Sequence, residues 1–450
     1  QKLLDQQLSG LCLVVRLATH PSNPPKFQFG DQLHLKTTRG LATAMVKRWL
    51  WATATVSAAL AVHGALRGHL RRAAAAALTA VLLATATRQH SRGTTVTSGG
   101  RPARYPKQYV ARKATVQPID GDLEKAVWSS VPWSEDFVEI RGGDAPTSAK
   151  PTKWEATRVK MLWDDEYLYI GAMMDVDAGN ELIAKFKERN SPIFHTDSDF
   201  EVFLDPAGCC HGYKELEINA LNTVWNLLLD RPYSDGGGEF SGRVAKQGER
   251  SHWDVGGQKT AVKVTKGRIG NPSAAAQWCV EIALAHSDSL PNAPVQAAEP
   301  FVGGCWRINF SRVEKQGKVN WVWAPQVVWS PTDGRHVGQV NMHLPDAWGY
   351  VVFADEVGKL SDGSDAKDFV DPTFPARHAC ACVYYACRAF HEVEGRFPGS
   401  WEELYSRVLL PELLDAQVSL RPRNDGYVAQ VAVAGRKVQV NNLRLMTVVA

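Results

Sequence analysis

The 450-residue chain has the composition of a folded protein, because 44% of its residues are hydrophobic and 22% are charged. These values exclude global disorder, and the length allows roughly two to three domains of ~150 residues. Eight cysteines are too few for a disulfide-dense scaffold. The net charge of +4 is unevenly distributed: residues 32–119 contain 14 Lys and Arg and no acid, whereas residues 120–450 have a net charge of −11. An acidic bulk argues against nucleic acid as a partner.

The N-terminal region has the pattern of a targeting segment. Residues 1–44 lack clear periodicity, precede the first Met, and are assigned to no domain. From Met45, a short basic stretch is followed by apolar runs at 49–66 and 73–86. We predict an apolar helical leader over 45–88: a secretory signal peptide or membrane anchor, or else a bipartite organelle-targeting leader. A membrane hairpin and a wrong gene start stay open. Secretion or membrane anchoring is therefore expected, with an organelle as the alternative.

The middle of the chain has the two-residue period of β-strands. Residues 89–116, rich in Ser, Thr, Gly, Arg and Pro, are predicted to be a linker. Residues 158–174 alternate on both sides of a turn at 164–166 and are predicted to form a hairpin. Residues 117–354 therefore predict an antiparallel two-sheet β-sandwich, jelly-roll or DOMON-like, in a mainly β protein. Further predicted strands lie at 199–204, 215–219, 259–264, 278–283, 306–313, 319–323 and 350–353.

Residues 376–450 are predicted to form a small α+β C-terminal extension. Residues 376–393 have a helical period. Ser400, followed three residues later by Glu403, is the capping box that begins a second helix. We interpret the extension as a helical cover on the sandwich, with an interaction unit as the alternative. Two predicted strands follow the second helix, at 427–432 and 436–441.

Several motifs of the middle region resemble one family. They are IDGDLEKAVW at 119–128, KMLWDDEYLYI at 160–170, DSDFEVFLDP at 197–206, EINALN at 217–222, WRINFSR at 306–312 and HLPDAWGY at 343–350. In this order they resemble motifs of the family 9 carbohydrate-binding modules and of the branch named carbohydrate-binding family 9-like. The resemblance implies a β-sandwich that binds polysaccharide or oligosaccharide and is often attached to glycoside hydrolases.

The resemblance also implies a place for the ligand. In the xylanase-attached members, two aromatic rings hold a terminal sugar, and an acid, an Arg and a Gln bond its hydroxyls. Alignment of the strands places the acid at Glu201. The other positions fall on residues of a different type: the Arg on Glu217, the Gln on Ser311, the first ring on His195 with Phe194 beside it, and the second ring near Met342. These residues are the implied ligand-binding set.

Acidic side chains are concentrated on the same strands. Asp197, Asp199 and Glu201 share one strand face, as do Glu215, Glu217 and Asn219 on what we expect to be a neighbouring strand. Because adjacent carboxylates repel each other, we predict either Ca²⁺ bound at Asp197 and Asp199 or a basic partner. We choose Arg312 as that partner and as a further ligand-binding residue. A solvated outer face with widely spaced acids is the alternative.

These observations together predict a non-catalytic carbohydrate-binding protein that requires no cofactor. It would act on polysaccharide by bringing a partner, such as a glycoside hydrolase, to its substrate. Two other functions stay open: a structural or adhesion β-sandwich that has lost the sugar site, and a component with O-glycosyl hydrolase activity. The soft ligands at 209–211 and 378–387 lack the spacing of a zinc knuckle or finger, so small buried thiols or an opportunistic disulfide are the preferred interpretation there.

Overall fold

A computed structural model describes residues 104–245, 249, 253–411 and 416–449. The unassigned residues 1–44 and the predicted leader lie outside the described residues. Among the helices of the described ranges, none is long and apolar enough to cross a membrane.

The described chain is mostly β, as predicted. Its strands are β1 (Gln108–Lys113), β2 (Val138–Glu139), β3 (Thr157–Trp163), β4 (Tyr167–Val176), β5 (Asp199–Asp205), β6 (Tyr213–Asn219), β7 (Val224–Leu229), β8 (Glu239–Phe240), β9 (Lys259–Lys266), β10 (Ala276–Ala285), β11 (Cys305–Glu314), β12 (Val319–Val322), β13 (Val327–Ser330), β14 (Arg335–Gly338), β15 (Gly349–Ala354), β16 (Gln417–Arg423), β17 (Gly426–Val433), β18 (Arg436–Asn441) and β19 (Met446–Val449). Its α-helices are α1 (Ala126–Ser129), α2 (His286–Ser289), α3 (Phe374–Glu394) and α4 (Trp401–Arg407). Single turns of 3₁₀ helix lie at Gly142–Asp144, Thr147–Ala149, Tyr233–Asp235, Pro345–Ala347 and Ala366–Asp368.

The sandwich is built from one sheet that curls into two layers. Its strand order is β8-β7-β6-β5-β11-β15-β1-β3-β4-β10-β9, and β12 attaches β2 to β11. Strand β1 lies between β15 and β3 and so connects the two layers. It runs parallel to both neighbours, whereas the other strand pairs of this sheet are antiparallel. Residues 108–113, which we assigned to the linker, therefore form a strand inside the sheet. Tyr109 and Ala111 alternate into the core and account for this position.

Aromatic side chains fill the space between the layers. Trp128, Trp163 and Trp306 are buried, as predicted. Trp163 and Trp306 form edge-to-face contacts with Phe353, with ring centroids 5.3 and 5.1 Å apart. Such edge-to-face pairs add about 0.5–1.5 kcal/mol beyond the buried area. The indole nitrogen of Trp128 donates to the Glu281 carboxylate at 2.8 Å, so its polar atom is also satisfied.

The C-terminal extension packs α3 against the four-stranded sheet β16-β17-β18-β19. The predicted helix at 376–393 and the strand pair around Gly435 are confirmed. Ser400 caps α4, because its hydroxyl accepts the backbone N–H of Glu403 at 3.2 Å. Strands β16 and β19, which we did not predict, complete this sheet at its edges.

Candidate functional site

Three positions of the implied ligand-binding set meet on one face of the sheet. Glu201 on β5 lies directly opposite Glu217 on β6 and opposite Ser311 on β11. Directly opposed residues project to the same side of a sheet, with Cβ atoms about 4.5–5.5 Å apart. The structure therefore brings together the positions to which the resemblance assigned the acid, the Arg and the Gln.

Four buried carboxyl groups crowd this face. They belong to Asp199, Glu201, Glu215 and Glu217. One oxygen each of Asp199, Glu201 and Glu217 lie within 4.8 Å of one another. Both oxygens of Asp199, and one each of Glu215 and Glu217, have no hydrogen-bond partner among the described groups. We call these four residues the carboxyl cluster. Uncompensated burial of this kind is costly unless the groups are protonated or bind a cation.

The electrostatics of the carboxyl cluster favour protonated carboxyls. Burial raises the pKa of Glu201 to about 7, although the neighbouring Ser311 hydroxyl opposes this shift. Burial, followed by repulsion from Glu201, raises the pKa values of Asp199, Glu215 and Glu217 well above their ordinary range. Near neutral pH the cluster therefore either retains protons or needs positive charge beside it.

A basic group beside the carboxyl cluster is Arg243, which we did not predict from the sequence. The guanidinium carbon of Arg243 lies 5.8 Å from the ring centre of Phe194 and 5.4 Å from that of Trp225. Its charge partly opposes the rise in the pKa values of Glu215 and Glu217. Trp225 on β7 lies directly opposite Glu217 on β6. The two-residue period of β7 could therefore have placed the Trp225 side chain on this face. Arg243 follows β8 in a turn, where no periodic pattern could indicate its direction.

The prediction that Arg312 neutralises this face is wrong. Arg312 lies opposite Phe200 on β5 and so points away from the side on which Glu201 lies. Its guanidinium forms a buried ion pair with Glu314 at 2.8 Å and donates to the Thr157 hydroxyl at 2.9 Å. These contacts give Arg312 a structural role.

Asp197 lies just before β5 and accepts three hydrogen bonds. Its carboxylate accepts the backbone N–H groups of Lys185 and Phe186 at 3.0 and 3.2 Å, and the Asn219 side-chain amide at 2.7 Å. The Ca²⁺ prediction for Asp197 and Asp199 stays a prediction, and the carboxyl oxygens that lie close enough together for one ion belong to Asp199, Glu201 and Glu217. Carboxylate oxygens are the ligands that Ca²⁺ prefers.

The predicted ring positions lie at the edge of the same face. Phe194 is half-buried and contacts exposed His195, with ring centroids 4.3 Å apart. Met342 is buried in the hydrophobic cluster that includes Trp225 and against which Phe194 packs. The next residue, His343, has its Nε2 4.0 Å from a Glu215 oxygen, and burial lowers its pKa to about 4. This imidazole is therefore neutral at pH 7 and supplies no counter-charge.

The polar part of the site is closed to solvent. Glu201, Glu217 and Ser311 are only 4%, 2% and 0% exposed. The hydrophobic cluster around Met342 lies on the same face. A sugar hydroxyl could therefore reach Glu201 only after the side chains that cover this face had moved.

No protein-family model and no curated protein sequence matches this chain. Among solved structures, "a putative carbohydrate-binding protein" from Bacteroides uniformis ATCC 8492 is similar, with 13% identity over 55% of this chain and 99% of that chain and a TM-score of 0.38. A carbohydrate binding module family 9 from Caldicellulosiruptor kristjanssonii in complex with cellotriose has 13% identity over 59% and 100% of the two chains, with a TM-score of 0.33. Its complex with glucose has 14% identity over 55% and 96%, with a TM-score of 0.33. At these values the comparisons do not identify a ligand for this chain.

Proposed function

We propose that this protein is a non-catalytic carbohydrate-binding protein whose ligand site is the face of β5, β6 and β11 around Glu201. The observation that carries the proposal is the register, which makes Glu201, Glu217 and Ser311 direct neighbours on three adjacent strands. The motif resemblance assigns hydroxyl-binding groups to these three positions. Phe194 stands at the edge of the same face and supplies a ring that can pack against the apolar side of a sugar.

The proposed ligand is a polysaccharide or an oligosaccharide. A binding protein of this kind acts by proximity, because it raises the local concentration of a linked or associated enzyme at its substrate. A glycoside hydrolase is the partner that fits the resemblance. The leader predicted over 45–88 would place the protein outside the cell or at a membrane, with an organelle as the alternative.

A hard cation belongs to the same proposal. Asp199, Glu201 and Glu217 offer carboxylate oxygens close enough to surround one Ca²⁺, which takes 6–8 oxygen ligands at about 2.3–2.6 Å. Such an ion would neutralise the carboxyl cluster. It would also compete with sugar hydroxyls for Glu201, so sugar binding is to be measured both with and without Ca²⁺.

A second function is favoured by the burial of the site. Because Glu201, Glu217 and Ser311 are almost completely covered, the chain is alternatively a structural or adhesion β-sandwich without a sugar site. In that case the carboxyl cluster contributes only to the fold. The two functions differ in one measurable property, since only the first gives glycan binding that depends on Glu201.

The test is a glycan array with the full-length chain, in Ca²⁺ and in chelator, followed by calorimetry on any glycan that binds. We expect Glu201→Ala to weaken binding ~10-fold or more, because hydrogen bonds to a charged group contribute about 1.5–3 kcal/mol. The exposed Glu188 provides a control, and Glu188→Ala should leave the affinity unchanged. Unchanged affinity in Glu201→Ala would move the site elsewhere, and binding to no glycan would favour the structural sandwich.

A further inference from the structure

A second group of metal-ligand side chains lies between the β13–β14 hairpin and α3. It consists of His336 on β14 and of His378 and Cys382 on α3. His378 and Cys382 are four residues apart and therefore project from the same side of the helix. One ligand atom from each of the three residues lies within 4.8 Å of the other two. The Cys382 sulfur is 3.9 Å from Nε2 of His378.

The surroundings hold the two imidazoles in place. The rings of His336 and His378 stack with centroids 5.1 Å apart and an angle of 15° between their planes. Trp329 packs against His336 at 5.3 Å, and Phe374 packs against His378 at 5.6 Å. These aromatic contacts restrict the planes of both rings, which reduces the side-chain ordering that binding requires.

One ligand atom is left without a partner. Nε2 of His336 is buried and has no hydrogen-bond partner within the described part of the chain. Burial of an unpaired polar atom is unfavourable, and a bound metal ion would satisfy it.

We propose that His336, His378 and Cys382 bind one zinc ion, which links the β13–β14 hairpin to α3. Two imidazole nitrogens and one thiolate are a ligand set that Zn²⁺ favours, and a water molecule would complete the tetrahedron. Binding requires the ligand atoms to close to about 2.0–2.3 Å from the ion. The thiol of Cys382 loses its proton to solvent as the metal–sulfur bond forms.

Two charged side chains of opposite sign act on His378. Arg104 lowers the pKa of His378, and Asp346 opposes that shift. Arg104 would weaken the binding of a cation, whereas Asp346 would favour it. The Asp346 carboxylate already accepts hydrogen bonds from Arg444 and Tyr385, each at 3.0 Å, so we do not assign it as the fourth zinc ligand.

Other cysteines of α3 provide matched controls. The sulfur of Cys380 donates to the backbone oxygen of Val438 at 3.3 Å. Cys387 lies beside the Tyr427 hydroxyl. Both point toward the C-terminal sheet, so the sequence cluster at 378–387 divides into two sides and only Cys382 joins the histidines. Cys380→Ser should therefore change the same helix without changing the metal site.

The test uses the untagged full-length chain, because a histidine tag would bind zinc itself. After equilibration with Zn²⁺ and removal of free metal, we expect about one zinc per chain by mass spectrometry of the metal content. Cys382→Ser and His378→Gln should weaken zinc affinity at least ~100-fold, since even indirect partners of a metal site change it 10–100-fold. Cys380→Ser should retain the ion. Bound Co²⁺ should give a thiolate charge-transfer band that is absent in Cys382→Ser.

Thermal denaturation shows whether loss of zinc reflects loss of the fold. Zn²⁺ should raise the Tm of the wild type and of Cys380→Ser but not that of Cys382→Ser. If His378→Gln fails to fold, His336→Gln on the hairpin takes its place. The proposal is overturned if the wild type binds no zinc above background, if Cys382→Ser binds it equally well, or if Cys380→Ser loses it to the same extent.

Discussion

Replacing Glu201 by Gln should stabilise the protein at alkaline pH. Burial raises the pKa of Glu201 from 4.5 to about 7. Between these values the native state binds a proton that the unfolded state has lost, so the free energy of unfolding falls as the pH rises. The stabilising contribution is fully present below about pH 4.5 and lost above about pH 7. At 1.36 kcal/mol per pKa unit, ionisation of this one carboxyl makes the free energy of unfolding roughly 3 kcal/mol lower above about pH 7 than below about pH 4.5.

Gln keeps the shape of Glu201 but cannot ionise. Glu201→Gln should therefore exceed the wild type in free energy of unfolding by roughly 3 kcal/mol near pH 8 and equal it within about 1 kcal/mol near pH 5. Urea denaturation of the full-length chain at several pH values measures this difference. The control is Glu188→Gln at an exposed position, where the change should stay within about 0.5 kcal/mol at every pH.

Two results would contradict this reasoning. A difference between Glu201→Gln and the wild type that does not vary with pH would mean that the Glu201 charge is not the cause. A variant less stable than the wild type near pH 8 would mean that the ionised carboxylate is stabilised by positive charge. Repeating the measurement in chelator and in Ca²⁺ then separates a bound cation from Arg243, because only the cation is removed by chelation.

Three further substitutions test other parts of the fold by urea denaturation. Ser400→Ala removes the cap of α4 and should lower the free energy of unfolding by about 1 kcal/mol; no change would mean that α4 does not need its cap. Arg444→Ala leaves the buried carboxylate of Asp346 without the cation that lies 3.0 Å from it, and should cost about 3–5 kcal/mol, whereas Asp235 keeps its ion pair with Arg388 at 3.0 Å. Glu281→Ala removes the buried carboxylate that accepts from an indole N–H and two backbone N–H groups, and should lower the free energy of unfolding about as much as Arg444→Ala. A decrease smaller than that of Ser400→Ala would contradict this prediction.

Alternation along a strand predicted which side chains share a face but not which residues meet across strands. It correctly placed Asp199 and Glu201 together on β5, and Glu215 and Glu217 together on β6. The choice of Arg312 failed because it follows Ser311, and consecutive residues point to opposite faces. With Ser311 aligned to a ligand position, the direction of Arg312 was already determined by the two-residue period.

Contacts between distant segments left no signal in the sequence. The cluster at 378–387 contained two of the three soft ligands, yet His336 lies on a separate hairpin, and only tertiary packing brings it to α3. Strand β16 was missed because it contains Pro422 and is mostly exposed, so it lacks the alternation of a half-buried strand. Strand β19 spans four residues, which is too short for a period to stand out.

The two candidate ion sites should respond to different metals, and this difference separates local from global effects. The carboxyl cluster offers only oxygen ligands, which suit Ca²⁺, whereas His336, His378 and Cys382 offer nitrogen and sulfur, which suit Zn²⁺. The sites share no residue and lie on different strands. Glu201→Gln should therefore abolish a Ca²⁺-dependent rise in Tm and leave the Zn²⁺-dependent rise intact, and Cys382→Ser should do the reverse. If either variant loses both responses, the substitution has disturbed the whole fold, and neither site can be inferred from that variant.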